Sequence, residues 1–137
     1  MGPILCVLLL VMAAAAFWPG ASRADGAGPS FDCRRASTIV EHEICRKGQL
    51  AAFDRQIAAL YTQALGLINA ADADALRTDQ RFWLKVRDGC GYLIRGNPNI
   101  SSNVEGCLAD AMATRVSELQ KVVADKRFSR PCHPQSC

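Results

Sequence analysis

A chain of 137 residues, half of them hydrophobic, holds one domain. Its 16 basic and 13 acidic residues leave a formal net charge of +3, too mild to demand a nucleic-acid partner. No Ser-His-Asp set, phosphate loop or metal cluster is visible, so no enzyme, no cofactor and no metal is expected.

The chain opens with an uncharged run from Ile4 to Trp18, ILCVLLLVMAAAAFW, followed by PGASRA. The run is short for a membrane span. It suits the core of an export signal, with Ser22-Arg23-Ala24 as a small-x-small cleavage site. Residues 1–24 are therefore expected to be a cleaved signal, although no Lys or Arg precedes the apolar run. An uncleaved anchor is the alternative, and no stable membrane insertion is expected after cleavage. Cys6 comes too early in the run to serve as a lipid-attachment cysteine. Six cysteines remain beyond the signal: Cys33, Cys45, Cys90, Cys107, Cys132 and Cys137. An even set in a short exported chain argues for disulfides formed in the periplasm or outside the cell. Arg23 leaves with the signal, so 15 of the 16 basic residues face 13 acidic ones, a net charge near +2.

Asp25 to Ser30 is a small-residue linker, expected to be loose. The remainder, 31–126, reads as helix after helix. Thr38 with Glu41 forms a capping box for a short helix that runs to about Cys45 or Arg46, where Gly48 can stop it. A second helix starts near Gln49 and carries Leu50, Phe53, Ile57, Leu60, Tyr61, Ala64 and Ile68 on one face. Asn69 and AADAD break it. Asp72 or Asp74 then caps a third helix, whose stripe is Leu76, Trp83, Val86 and Cys90, closed by Gly89 and Gly91. Residues 96–103 read as a loop. Ser102 with Glu105 opens a last helix striped by Val104, Cys107, Leu108, Ala111, Met112, Val116, Leu119 and Val123, fading near Lys126. The tail, 127–137, has two prolines and no periodicity. The expected fold is all-α: a small antiparallel bundle of one short and three longer helices, stapled by disulfides because so small a core is marginal.

The nearest-neighbour pairing joins Cys90 to Cys107 across the hairpin between the third and fourth helices. It joins Cys33 to Cys45 around a helix too short to survive alone, and leaves Cys132 with Cys137. Fifteen connectivities are open to six cysteines. Zinc at CHPQSC, with His133, and a reactive Cys45 beside His42 are the weaker alternatives.

The segments FDCRRASTIVEHEIC, LAAFDRQIAALY, QRFWLKVRDGC and CLADAMATRV resemble, in that order, the N-terminal domain of the LprI-like lysozyme inhibitor family. The matching positions are Phe31, Asp32, Cys33, Thr38, Glu41, Ile44, Cys45, Leu50, Asp54, Tyr61, Gln80, Arg81, Trp83, Leu84, Arg87, Asp88, Cys90, Cys107 and Leu108. The resemblance covers roughly residues 31–120. It implies an exported, all-helical, disulfide-linked domain of the bacterial envelope and, for at least some members, inhibition of lysozyme. The chain departs from the pattern in lacking a lipobox and in carrying an additional cysteine pair in its tail.

An inhibitor that plugs a lysozyme cleft needs donors for its two carboxyl groups. Arg34, Arg35, Arg46 and Lys47 at the ends of the stapled helix, and Arg81 and Arg87 near Trp83, are the candidates. The alternative function is a non-inhibitory envelope module that uses the same cations to hold anionic surface polymer or another protein. Trp83 and Tyr61 are expected in the core, the Tyr61 hydroxyl at its rim. Asp54 and Arg87 are a candidate interhelical pair. Asp32 either caps or pairs with a nearby arginine. The oligomeric state is left open.

Overall fold

The structure, a computed structural model, describes residues 28–94 and 101–129, with the backbone alone at 93–94 and 101–103. The export signal, the first linker residues, residues 96–100 of the expected loop and the cysteines Cys132 and Cys137 lie outside what it describes, whereas residues 101–103, expected to end that loop, are already helical, so Ser102 sits inside the last helix and does not cap it. A 3-10 turn at Cys33–Arg35 leads into α1 (Ile39–Arg46), α2 (Gly48–Leu67) and α3 (Ala70–Gly89). A second 3-10 turn, Cys90–Ile94, precedes α4 (Ser101–Asp125). Among the described residues there is no strand, and the all-α expectation stands.

α1 and α3 each start at a side-chain cap. Thr38 Oγ1 accepts from the Glu41 N–H at 3.1 Å, and the Glu41 carboxylate accepts from the Thr38 N–H at 3.0 Å, completing the capping box. Gly48 does not stop α1. Lys47, extended at φ −112°, ψ 109°, ends α1 and begins α2, and Gly48 is already helical. The cap of α3 is Asn69, not Asp72 or Asp74. Its side chain accepts from the Asp72 N–H at 3.0 Å, and the alanines that follow are strong helix formers. Asp72 is thereby free to accept from the Phe128 N–H at 3.1 Å, tying the end of α4 to the start of α3.

Lys47 Nζ meets Glu105 Oε2 at 2.7 Å, so α2 and α4 start at the same end. Contacts between α3 and α4 run in reverse order, from Asp72–Phe128 through Asp79–Arg115 to Cys90–Cys107. The three long helices therefore run up, down and up. α2 packs most closely against α4, and α3 stands further off. Ile44, Leu50, Leu76, Leu108, Met112 and Leu119 are essentially sealed from water, each contributing about 1.5–3 kcal/mol of burial. Phe53, Leu60, Tyr61 and Trp83 pack against this centre partly buried. Val86 departs from expectation: it is 53% exposed. Val122 joins Val123 in facing the core.

Two disulfides, Cys33–Cys45 and Cys90–Cys107, form as the nearest-neighbour pairing predicts. They lock the same end of the bundle, because Gly91 brings the second 3-10 turn against α1. A Cβ at Gly91 would lie 3.1 Å from Val40 Cγ2, so glycine permits this approach. The linker is not loose where it is described. Ser30 donates to Asp54 Oδ2 through its N–H at 2.7 Å and its hydroxyl at 2.5 Å, and Arg55 Nη1 donates to Gly28 O.

Replacing both Cys90 and Cys107 by alanine is expected to lower the unfolding free energy by ~3 kcal/mol, the loop-closure contribution of such a bridge. Urea denaturation of the two proteins side by side measures it.

Candidate functional site

The predicted cationic residues separate into two places. Asp32 caps the first 3-10 turn, its carboxylate accepting from the Arg34 N–H at 3.0 Å. The same carboxylate accepts from Arg34 Nε and Nη2, the closest contact being 2.9 Å. Asp32 thus both caps and pairs. The Arg34 guanidinium holds the Asp32 carboxyl below the usual carboxylate range, and the carboxylate in turn raises Arg34. Arg35 follows in the last position of the turn. Its side chain is exposed and has no partner among the described residues. No residue of this turn is buried, yet its position is held by Cys33–Cys45 behind it and by Asp54 on the preceding segment.

The other cations are engaged. Arg46 pairs with Glu43, a carboxylate only 5% exposed. Lys47 is committed to Glu105, and Arg81 donates to Thr78 Oγ1 at 3.0 Å. Arg87 is 9% exposed and does not reach Asp54. It donates from Nε and Nη2 to Asp88 Oδ1, at 3.0 and 2.7 Å, and lies 5.7 Å over the Trp83 ring. The expected Asp54–Arg87 pair is absent because each side chain is satisfied locally: Asp54 by Ser30, Arg87 by Asp88 and the indole face.

Sequence reasoning missed Arg115. It is 2% exposed, and its guanidinium crosses from α4 to α3. Nη1 donates to Asp79 Oδ2 at 2.8 Å, and Nε and Nη2 donate to Gln80 Oε1 at 3.0 and 2.7 Å. Nη1 also donates to Glu118 Oε2 at 2.9 Å, and the group lies 5.6 Å from the Trp83 centroid. The signal was available: Arg115 stands three residues after Met112 and four before Leu119, on the apolar stripe, and Asp79 holds the same place between Leu76 and Trp83. This bridge separates two grooves along the α3–α4 seam, of 390 and 310 Å³.

Among the described residues no acid–base or nucleophile set is assembled. The chain presents an exposed turn bearing Arg34 and Arg35 beside the Cys33–Cys45 disulfide.

The family model described as lysozyme inhibitor LprI matches residues 33–119. Lipoprotein LprI of Mycobacterium tuberculosis (strain H37Rv) is 30% identical over 93% of this chain, and so is its Mycobacterium bovis counterpart. The chain spans 58% of the length of these relatives. An uncharacterized Rhizobium meliloti protein is 31% identical over 73% of this chain and 84% of its own length. No solved structure matches.

Two measurements check this site. Hydrogen bonds from the Ser37 and Thr38 N–H groups hold the Glu41 carboxyl below its ordinary value of 4.5. Their contribution is complete above pH 4.5 and is lost as pH falls through the lower, folded-state value. The protection of α1 amides, corrected for the intrinsic exchange rate at each pH, should therefore fall on acidification below that point, and Glu41→Gln should flatten that dependence. Arg115→Met should cost ~3–5 kcal/mol, because it leaves the Asp79 carboxylate buried without its partner. Adding Asp79→Leu should restore most of the loss in the same denaturation experiment.

Proposed function

The chain belongs to the lysozyme inhibitor LprI family, and from that membership we propose that it is an exported protein that inhibits a lysozyme by offering the Cys33–Arg35 turn to the catalytic cleft. The observation that carries this reading is the turn itself: fully solvent-facing, anchored by a disulfide, and ending in an arginine with no partner among the described residues.

A lysozyme cleft works with two carboxyl groups in opposed roles. A guanidinium donates to a carboxylate through charge-assisted hydrogen bonds, each stronger than a neutral one. Arg34 is already held by Asp32, so Arg35 is the side chain available to reach the cleft, with Arg34 shaping the turn. Because the turn is held before binding, little conformational entropy is lost on docking. A near-neutral net charge adds no long-range attraction to a basic lysozyme, so affinity rests on short-range fit.

Export to the envelope or beyond is supported by three observations: the apolar leader, the two disulfides, which persist in oxidising compartments, and the lipoprotein names of the mycobacterial relatives. No helix among the described residues is long and apolar enough to cross a membrane.

The test is inhibition of several lysozyme types by the purified exported protein. Dose-dependent inhibition of at least one type is expected. Arg35→Ala should weaken it about tenfold or more, the equivalent of one lost charge-assisted hydrogen bond, while Arg81→Ala should leave it unchanged. Failure to inhibit any lysozyme type ends this reading. Binding to anionic polymer that collapses as salt rises would favour the envelope-module alternative.

A further inference from the structure

The outer face of α3 has a composition of its own. From Arg77 to Val86 its exposed residues are Arg77, Thr78, Arg81, Phe82, Lys85 and Val86. They fall at i, i+1, i+4, i+5, i+8 and i+9, along one side of the helix over about 13 Å of its axis. None of them is acidic. Arg77 meets Asp74 one turn earlier in a contact open to solvent, where an ion pair holds weakly. Arg81 donates to the neutral Thr78 hydroxyl, and neither Arg81 nor Lys85 makes an ion pair among the described residues. Phe82, 49% exposed, and Val86, 53% exposed, stand beside them. The whole chain carries a formal net charge of only +3, so this row of cations is a local concentration.

Cations in a row are drawn to an anionic surface, and apolar side chains next to them gain only if that surface has an apolar layer within reach. A soluble anionic polymer would use the cations and leave Phe82 and Val86 in water. A bilayer uses both. We infer that the outer face of α3 docks on a lipid bilayer that contains anionic phospholipid. Arg77, Arg81 and Lys85 meet the headgroup phosphates, and Phe82 and Val86 reach the acyl boundary.

Phe82 and Val86 line the 310 Å³ groove toward α4, and the three cations do not. The acidic groups of the α4 wall, Asp110 and the Arg115-bound Glu118, thus lie on the groove side of α3, away from the cations. The bundle therefore sits with that wall tilted off the headgroups. α3 lies along the surface and not through it: its other face buries Ala73, Leu76 and Asp79 in the bundle, and no helix among the described residues is long and apolar enough to cross a membrane. So short a row of cations gives a reversible, salt-sensitive attachment. The inference concerns α3 alone and does not rest on the inhibitor reading.

Co-sedimentation of the exported, oxidised protein with vesicles decides it. Vesicles of phosphatidylcholine mixed with phosphatidylglycerol should carry it down, vesicles of phosphatidylcholine alone should not, and rising salt should release it. Arg81→Glu combined with Lys85→Glu should weaken the binding at least about tenfold. Phe82→Ser combined with Val86→Ser, which leaves the charge untouched, should also weaken it about tenfold. All four positions are exposed, and circular dichroism should stay unchanged. Lys121→Glu, a charge reversal on α4, should leave the binding as it was. Failure to bind the mixed vesicles overturns the inference, as does equal binding to both kinds of vesicle or binding indifferent to either double substitution. Binding to soluble dextran sulfate in place of vesicles overturns it too, and would assign the cations to an anionic polymer.

Discussion

The separation of α3 from α4 depends on one guanidinium. Arg115 is sealed from water, and its donors are taken by Asp79, Gln80 and Glu118, with the Trp83 ring alongside. A buried charge is tolerated only when its donors are satisfied in good geometry. That condition sets how far α3 stands from α4 and in what register. A purely apolar seam could slide or collapse; this one cannot do so without stranding a charge. The grooves on either side of Arg115 and the exposure of Phe82 and Val86 follow from the stand-off it imposes.

The bundle is closed differently at its two ends. At one, covalent bonds fasten α1, the Cys90–Ile94 turn and the first turns of α4. At the other, among the described residues, the chain after α4 is tied down by the Phe128 N–H donating to Asp72 and by the Phe128 side chain packing on the core, reached through Lys126 in the left-handed region at φ 50°. A left-handed residue is a common helix terminator, but in a non-glycine side chain it carries a small conformational cost. Covalent restraint is thus concentrated at the end that presents Arg34 and Arg35.

Much of this was legible in the sequence where the determining residues are close together. The Thr38–Glu41 capping box and both disulfides could be placed because each depends on a short stretch or on a single hairpin. The cap of α3 was misplaced because Asn69, Asp72 and Asp74 are all good caps within six residues, and propensity alone does not rank them. Val86 was assigned to the core because it lies near the apolar stripe; its exposure reflects the spacing of a neighbouring helix, which no local pattern encodes. The expected Asp54–Arg87 pair does not form, because Arg87 finds its carboxylate in the adjacent Asp88 and Asp54 is taken by Ser30, which the path of the preceding segment brings to it. Arg115 and Asp79 held the clearest unread signal, since each interrupts an apolar stripe at the same offset from its neighbours. Two opposite charges so placed on adjacent helices are a pairing that sequence can propose.

Trp83 has two guanidinium groups against its ring, Arg87 at 5.7 Å and Arg115 at 5.6 Å from the centroid. The other tryptophan in the chain, Trp18, falls in the apolar leader, so a chain that begins at Asp25 keeps a single indole, placed on the seam itself. Its emission colour and lifetime are set by those two cations and by access of water to the ring. The protein therefore carries its own optical gauge of the α3–α4 spacing, readable without a label.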